Sequence, residues 1–213
     1  APLTSGGTPL TTFGRAVTGA SPEAEDEDQE SDSGGEGQSG GTLLLASSVD
    51  PDALDPAGTI QAAADSFNDL LYQRLVYIGS DRAPHPWVAE SWEVSEDGTQ
   101  LTFSIREGVT FHDGGPLDGA AVKLSFDPIL DPEAASPALA QMGTLESVDL
   151  VDEMTAQFNF TEPYAPFFTN ISLGYGGIVS PAAFVLHGDA SGKNPVGSGP
   201  FKMREWSAGQ EII

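Results

Sequence analysis

The chain has 213 residues and a formal net charge of −24, from 32 acidic residues against only 8 lysines and arginines. A surface this acidic excludes a nucleic-acid partner, whose phosphates require cations. The absence of cysteine excludes disulfides and thiolate metal sites.

Residues 1–40 are rich in Gly, Ser, Thr, Pro and acids, and SPEAEDEDQESDSGGEGQSGG has no apolar periodicity. Such a segment buries too little surface to offset its ordering entropy, so it reads as a disordered acidic stretch. The first twenty residues lack a basic n-region and an apolar h-region, so the start reads as that of a processed or incomplete chain. No apolar run is long enough to span a bilayer. The remaining acids are dispersed, and the only lysines are Lys123, Lys193 and Lys202. Dispersed carboxylates with few lysines suit a protein kept soluble in brine, and a halophilic source is the expectation.

Order is expected from Gly41. The apolar run Thr42–Ala46 reads as a buried strand, and Leu54-Asp55-Pro56 as a turn. Thr59–Tyr72 has apolar residues at helical spacing. Leu75–Ile78 reads as a strand, and Ala83-Pro84-His85-Pro86 as a stiff loop. Leu101, Phe103 and Ile105 alternate with Thr102, Ser104 and Arg106, the pattern of a half-buried strand. Asp118–Leu130 is a helix stopped by Asp131-Pro132, although Gly119 weakens its start by about 1 kcal/mol relative to Ala. Ser136-Pro137 opens a short helix to Met142. Leu145–Val151 and Met154–Thr161 form a hairpin across Asp152-Glu153. Helices are expected from Glu162 to Ile171 and from Ser180-Pro181 to His187. Residues 194–200 are a rigid connector, Phe201–Trp206 a strand, and Ala208-Gly209 a turn into another strand.

Chemistry-bearing motifs are few. There is no Gly-x-Ser-x-Gly elbow, His-Glu-x-x-His or phosphate loop, so no catalytic residue is assigned and an enzyme is not expected. The spacing of His85, His112 and His187 matches no metal-ligand pattern. No cofactor is implied. Asn159-Phe160-Thr161 and Asn170-Ile171-Ser172 fit the N-glycosylation sequon, which also arises by chance.

The densest signal is WVAESWEVSEDGTQLTFSIREGVTFHDGGPLDGAAVKLSF, from Trp87 to Phe126. Its order of W-E-V-S-x-D-G, an alternating strand, R-x-G-V-x-F-H-D-G and a helix resembles the family 5 extracellular solute-binding proteins. These are the capture components of peptide- and nickel-type ABC importers. Leu54-Asp55-Pro56, FDPILDPEAAS from Phe126, Glu162–Phe167, Val179–Ala183 and Pro195–Phe201 add further similar segments in the same order. Gly115-Pro116-Leu117 and Gly119-Ala120-Ala121 depart from the usual pattern at the helix start.

The resemblance implies an α/β protein with mixed sheets, one lobe of a two-lobe periplasmic-binding-protein-like fold whose second lobe is missing. Residues 1–40 would be a tether to a membrane anchor, and 41–58 the first strand and turn of a split first domain. Residues 59–194 would be an inserted subdomain, and 195–213 the truncated return. The implied function is capture of an oligopeptide or dipeptide outside the cytoplasmic membrane and delivery to the transmembrane subunits of an ABC permease, by a monomer held as a lipoprotein. Nickel or another small solute on the same scaffold, a secreted hydrolase and a non-transport receptor are the alternatives. By resemblance, Ser47, Ser48, Val49 and Asp50 face the cleft, as do Tyr175 and the connector Gly197, Ser198 and Gly199. Asp50 would accept from a ligand amine, and Tyr175 would supply a flat contact. Their plainer readings are a turn starter, an edge-strand aromatic and backbone geometry.

Overall fold

Residues 44–213 are described by the computed structural model. The expected disordered tether, and the start of the strand expected at Thr42, lie outside the described residues. Leu44–Ala46 form no strand. Leu44 and Leu45 are 90% and 69% exposed, and without a ladder partner a strand has no hydrogen bonds to hold it.

The first helix, α1, spans Ala62–Leu71 and starts later than its periodicity suggests. Thr59 is held in a turn: its hydroxyl donates to Asp52 Oδ1 at 2.6 Å and accepts from Gln61 N at 3.0 Å. Strand β1 is Val76–Ile78, and β2 is Pro84–Pro86. The expected stiff loop is thus a strand, with Tyr77 opposite His85. Its prolines are tolerated because β2 has only one partner and needs no outward donors.

Strands β3 (Ala89–Val94) and β4 (Gln100–Ile105) lead to helix α2 (Gly119–Leu130). Strands β5 (Leu145–Asp152) and β6 (Thr155–Phe160) form the expected hairpin. The four strands make one sheet in the order β3-β4-β6-β5. All its pairs are antiparallel, so the mixed sheets expected of this α/β lobe are represented here by antiparallel ladders.

Period-two alternation turns Leu101, Phe103 and Ile105 of β4 and Ala156, Phe158 and Phe160 of β6 to one buried face. Helix α2 covers it with Val122, Phe126 and Ile129. Phe158 meets Phe103 at 5.3 Å and Phe126 at 5.0 Å between ring centroids, both edge to face. Asp118 caps α2 by accepting from Ala121 N at 2.9 Å. Gly119 is needed despite its propensity cost. A Cβ there would lie 2.7 Å from Leu150 Cδ1 and 3.2 Å from the carbonyls of Asp152 and Glu153.

The helix expected from Ser136 shrinks to a 3₁₀ turn, Leu139–Gln141, while the Ser136 hydroxyl accepts from Ala138 N at 3.2 Å and donates to Ala57 O at 2.5 Å. Helix α3 is only Phe167–Ile171. Residues 161 and 162 instead prolong the hairpin: Thr161 N donates to Thr144 O, and Thr144 Oγ1 to Glu162 O. Helix α4, Pro181–His187, begins as expected with Ser180 accepting from Ala183 N at 3.2 Å.

Of the strand expected at Phe201–Trp206 only Trp206 is in a strand, and the expected turn at Ala208-Gly209 leads into its partner. Phe201 N is engaged by Leu70 O at the end of α1. Only β7 (Trp206–Ser207) and β8 (Glu211–Ile212) pair. Leu54, Leu71 and Tyr72 make a second, smaller core with Phe67, Val179, Met203, Trp206 and Ile212 around it. This core forms a seam between residues 50–72 and residues 192–212. Leu54 N donates to Gly192 O at 2.9 Å, and Gly209 N to Asp50 Oδ2 at 2.8 Å.

Candidate functional site

A helix ends with carbonyls that have no partner of their own. At the end of α1, Leu70 O and Leu71 O accept from Phe201 N at 3.0 Å and Gly199 N at 2.9 Å. The connector therefore lies directly on the helix end. A Cβ on Gly197 would stand 2.0 Å from Leu71 O, and one on Gly199 2.5 Å from Leu70 O. No side chain fits at either position, so both glycines are set by close backbone approach.

The turn after β4 also holds the connector. His112 N donates to Gly197 O at 2.8 Å, and His112 Nε2 meets Gly199 O at the same distance. A carbonyl only accepts, so the ring proton is on Nε2. Lys202 Nζ reaches back to His112 O at 3.2 Å. Next to it, Asp113 accepts from the Ser180 hydroxyl at the start of α4 and from Gly115 N. Burial pushes the Asp113 carboxyl up, but these hydrogen bonds outweigh it and hold it below the usual carboxylate value.

Ser198 is held through its side chain. With its amide nitrogen toward the connector, Gln73 donates to Ser198 Oγ at 3.1 Å and to Ser198 O at 3.2 Å. The Gln73 oxygen accepts from Trp87 Nε1 at 3.1 Å. Trp87 in turn sits 5.9 Å from the guanidinium of Arg74, which pairs with Asp69.

The other expected positions are less concentrated. Ser47 closes a local turn, its hydroxyl donating to Val49 O at 2.7 Å and accepting from Val49 N at 3.3 Å. Ser47, Ser48 and Val49 are exposed. Asp50 is exposed too, with one oxygen on Gly209 N. Tyr175 is not on a strand edge: it occupies a 3₁₀ turn, Gly174–Gly176, and is only 8% exposed. Burial raises its hydroxyl pKa, with a further rise from Asp65.

The sequon asparagines have engaged side chains. Asn159 Nδ2 donates to Ser147 Oγ and Asp149 Oδ2, and Asn170 Nδ2 to Gln141 O and the Tyr164 hydroxyl. His85 pairs with Asp81 at 2.9 Å. No group of three or more metal-ligating side chains is found among the described residues. No helix among them is long and apolar enough to cross a membrane.

The antiparallel sheet, its covering helices and the seam that joins residues 50–72 to 192–212 belong to an α/β lobe of the periplasmic-binding-protein type. The chain belongs to the bacterial extracellular solute-binding proteins, family 5, whose middle region matches residues 83–213. Members of this family are solute-binding transport proteins of the periplasm or cell exterior. The chain is 34% identical over 181 residues to the probable D,D-dipeptide-binding periplasmic protein DdpA of Escherichia coli K12, covering 80% of this chain and 35% of that protein. It is 31% identical over 155 residues to the glutathione-binding protein GsiB of Pectobacterium atrosepticum, covering 73% of this chain and 30% of that protein. Among solved structures, it resembles AgaA of A. tumefacien R10, in complex with agropinic acid, with a TM-score of 0.69 and 31% identity. That likeness covers 76% of this chain and 33% of AgaA. The chain thus spans about a third of the length of the relatives it matches.

Proposed function

We propose that this protein captures a dipeptide or short oligopeptide outside the cytoplasmic membrane and delivers it to an ABC permease. The observation that carries this reading is the 34% identity to a D,D-dipeptide-binding relative over a stretch of 181 residues. The second relative, a glutathione-binding protein, supports a peptide-like solute as well. Residues 41–58 and 195–213 belong, in this proposal, to one split domain, with 59–194 inserted between them. The bond from Gly209 to Asp50 supports that layout. Ser47–Asp50 and Gly197–Gly199 would line the near wall of a two-lobe cleft, with Tyr175 supporting it from the core. Solute would favour the closed state because only that state offers both walls.

The test is calorimetric titration of the full-length protein with dipeptides, glutathione, agropinic acid and nickel-histidine. One-to-one saturation by a dipeptide or glutathione is the expected result. Saturation by agropinic acid alone would move the assignment to organic-acid solutes, the second reading, which the AgaA likeness favours.

The acidity supports a brine habitat. A melting temperature that climbs from dilute buffer to molar KCl is expected, and one indifferent to salt would refute it. Residues 1–40 would then serve as the solvated tether to a lipid anchor.

A further inference from the structure

We infer that His112 and Gln73 are positioning residues of the solute site, fixing the connector so that the Ser198 hydroxyl is presented as a hydrogen-bond donor. This rests on the peptide-capture reading. Three successive residues of the connector, Gly197, Ser198 and Gly199, are each gripped from outside their own segment. Gly197 O and Gly199 O are both taken by His112, through its backbone N–H and its Nε2. Gly199 N is taken by Leu71 O. Ser198 Oγ accepts from Gln73, whose amide is oriented by the Trp87 indole.

This pattern leaves one group over. A hydroxyl has one donor hydrogen beside its acceptor lone pairs. Gln73 donates to one lone pair of Ser198 Oγ, and the hydroxyl hydrogen has no acceptor among the described residues. The matching ligand chemistry is an acceptor oxygen, a peptide carbonyl or a carboxylate. His112 Nδ1 is buried and has no partner, so the ring contributes a single side-chain bond, the one to Gly199. That single bond makes the role of His112 separable by substitution.

The experiment compares full-length wild type with His112→Leu, His112→Gln, Gln73→Met and Ser198→Ala. Glutamine can still offer an N–H where histidine has Nε2, and leucine cannot. Amide exchange is read at Gly199 and Phe201, with β4 and β6 as internal references. Binding is read by calorimetry with alanyl-alanine in its L,L and D,D forms. Expected for His112→Leu is an exchange rate about tenfold faster at Gly199 and Phe201, with the sheet amides unchanged. Expected affinity losses are about tenfold for His112→Leu and Ser198→Ala, and somewhat less for Gln73→Met. His112→Gln should restore both readouts. A purely structural role predicts altered exchange with unaltered affinity, and that result would overturn the inference. Equal behaviour of the leucine and glutamine variants would overturn it too. A wild type that binds neither dipeptide would overturn the peptide reading and this inference together, whereas a binding wild type with an unaffected Ser198→Ala variant would overturn the inference alone.

Discussion

Phe158 sits in a full shell of rings from Phe103, Phe126 and Phe167, whereas Leu54 and Tyr72 meet Met203, Trp206 and Ile212, which are only partly buried. The sheet body is held by dispersed apolar contact, insensitive to any one hydrogen bond. The seam is held by specific hydrogen bonds between segments far apart in sequence: Gly199 N to Leu71 O, His112 N to Gly197 O, and Gly209 N to the Asp50 carboxylate. The two regions therefore differ in what breaks them. Loss of volume harms the sheet, and loss of a bond or addition of a methyl harms the seam. Under the proposed capture of a solute, such a division would let one part stay rigid while the other sets the geometry of the cleft wall.

The sharpest contrast comes from Phe158→Ala. Its fully buried ring leaves a cavity under α2, and a loss of about 3–5 kcal/mol is expected in chemical denaturation. Gly197→Ala should cost less, about 1–3 kcal/mol, because the methyl overlaps Leu71 O and pushes the connector off the helix end. Its amide-exchange signature should be confined to the seam; equal loosening of β4 and β6 would show that the two regions unfold as one. Tyr72→Phe deletes a buried 2.7 Å bond to Leu54 O, and about 1 kcal/mol of seam stability is expected to go with it.

The smallest effect is titration at the β3–β4 turn. Asp97 accepts from the Ser95 hydroxyl and from both the N–H and hydroxyl of Thr99, which hold its pKa at about 2 against 3.8 in the open chain. A depressed folded-state value stabilises above the open-chain value, and the benefit is lost as pH falls toward about 2. Asp97→Asn should flatten the acid limb of the stability curve in that window, measured by denaturant melts at several pH values. An unchanged limb would mean that the turn opens before it titrates.

Much of the sheet was legible because its signal is local. Alternation at Leu101, Phe103 and Ile105 and at Ala156, Phe158 and Phe160 sets which face is buried, and Asp118 and Ser180 mark two helix starts. Failures came where a distant partner decided the outcome. Phe201–Trp206 reads as one strand, yet the end of α1 takes the backbone donor of Phe201 and only Trp206 pairs. Pro84 and Pro86 hid a strand that needs only one neighbour. At the candidate site, the glycines of the connector were visible as punctuation, and His112 only as part of a turn. Nothing near Gln73 in the sequence points to Ser198, 125 positions away, so that link exists only in the folded chain.

The most direct test of the central claim is amide exchange of the full-length protein with and without a saturating dipeptide. Slower exchange should appear at residues 47–50 and 197–201, where the near wall of the cleft is proposed, while the amides of β4 and β6 stay as they were. Protection confined to the sheet, or none anywhere in residues 44–213 while dipeptide is bound, would contradict it.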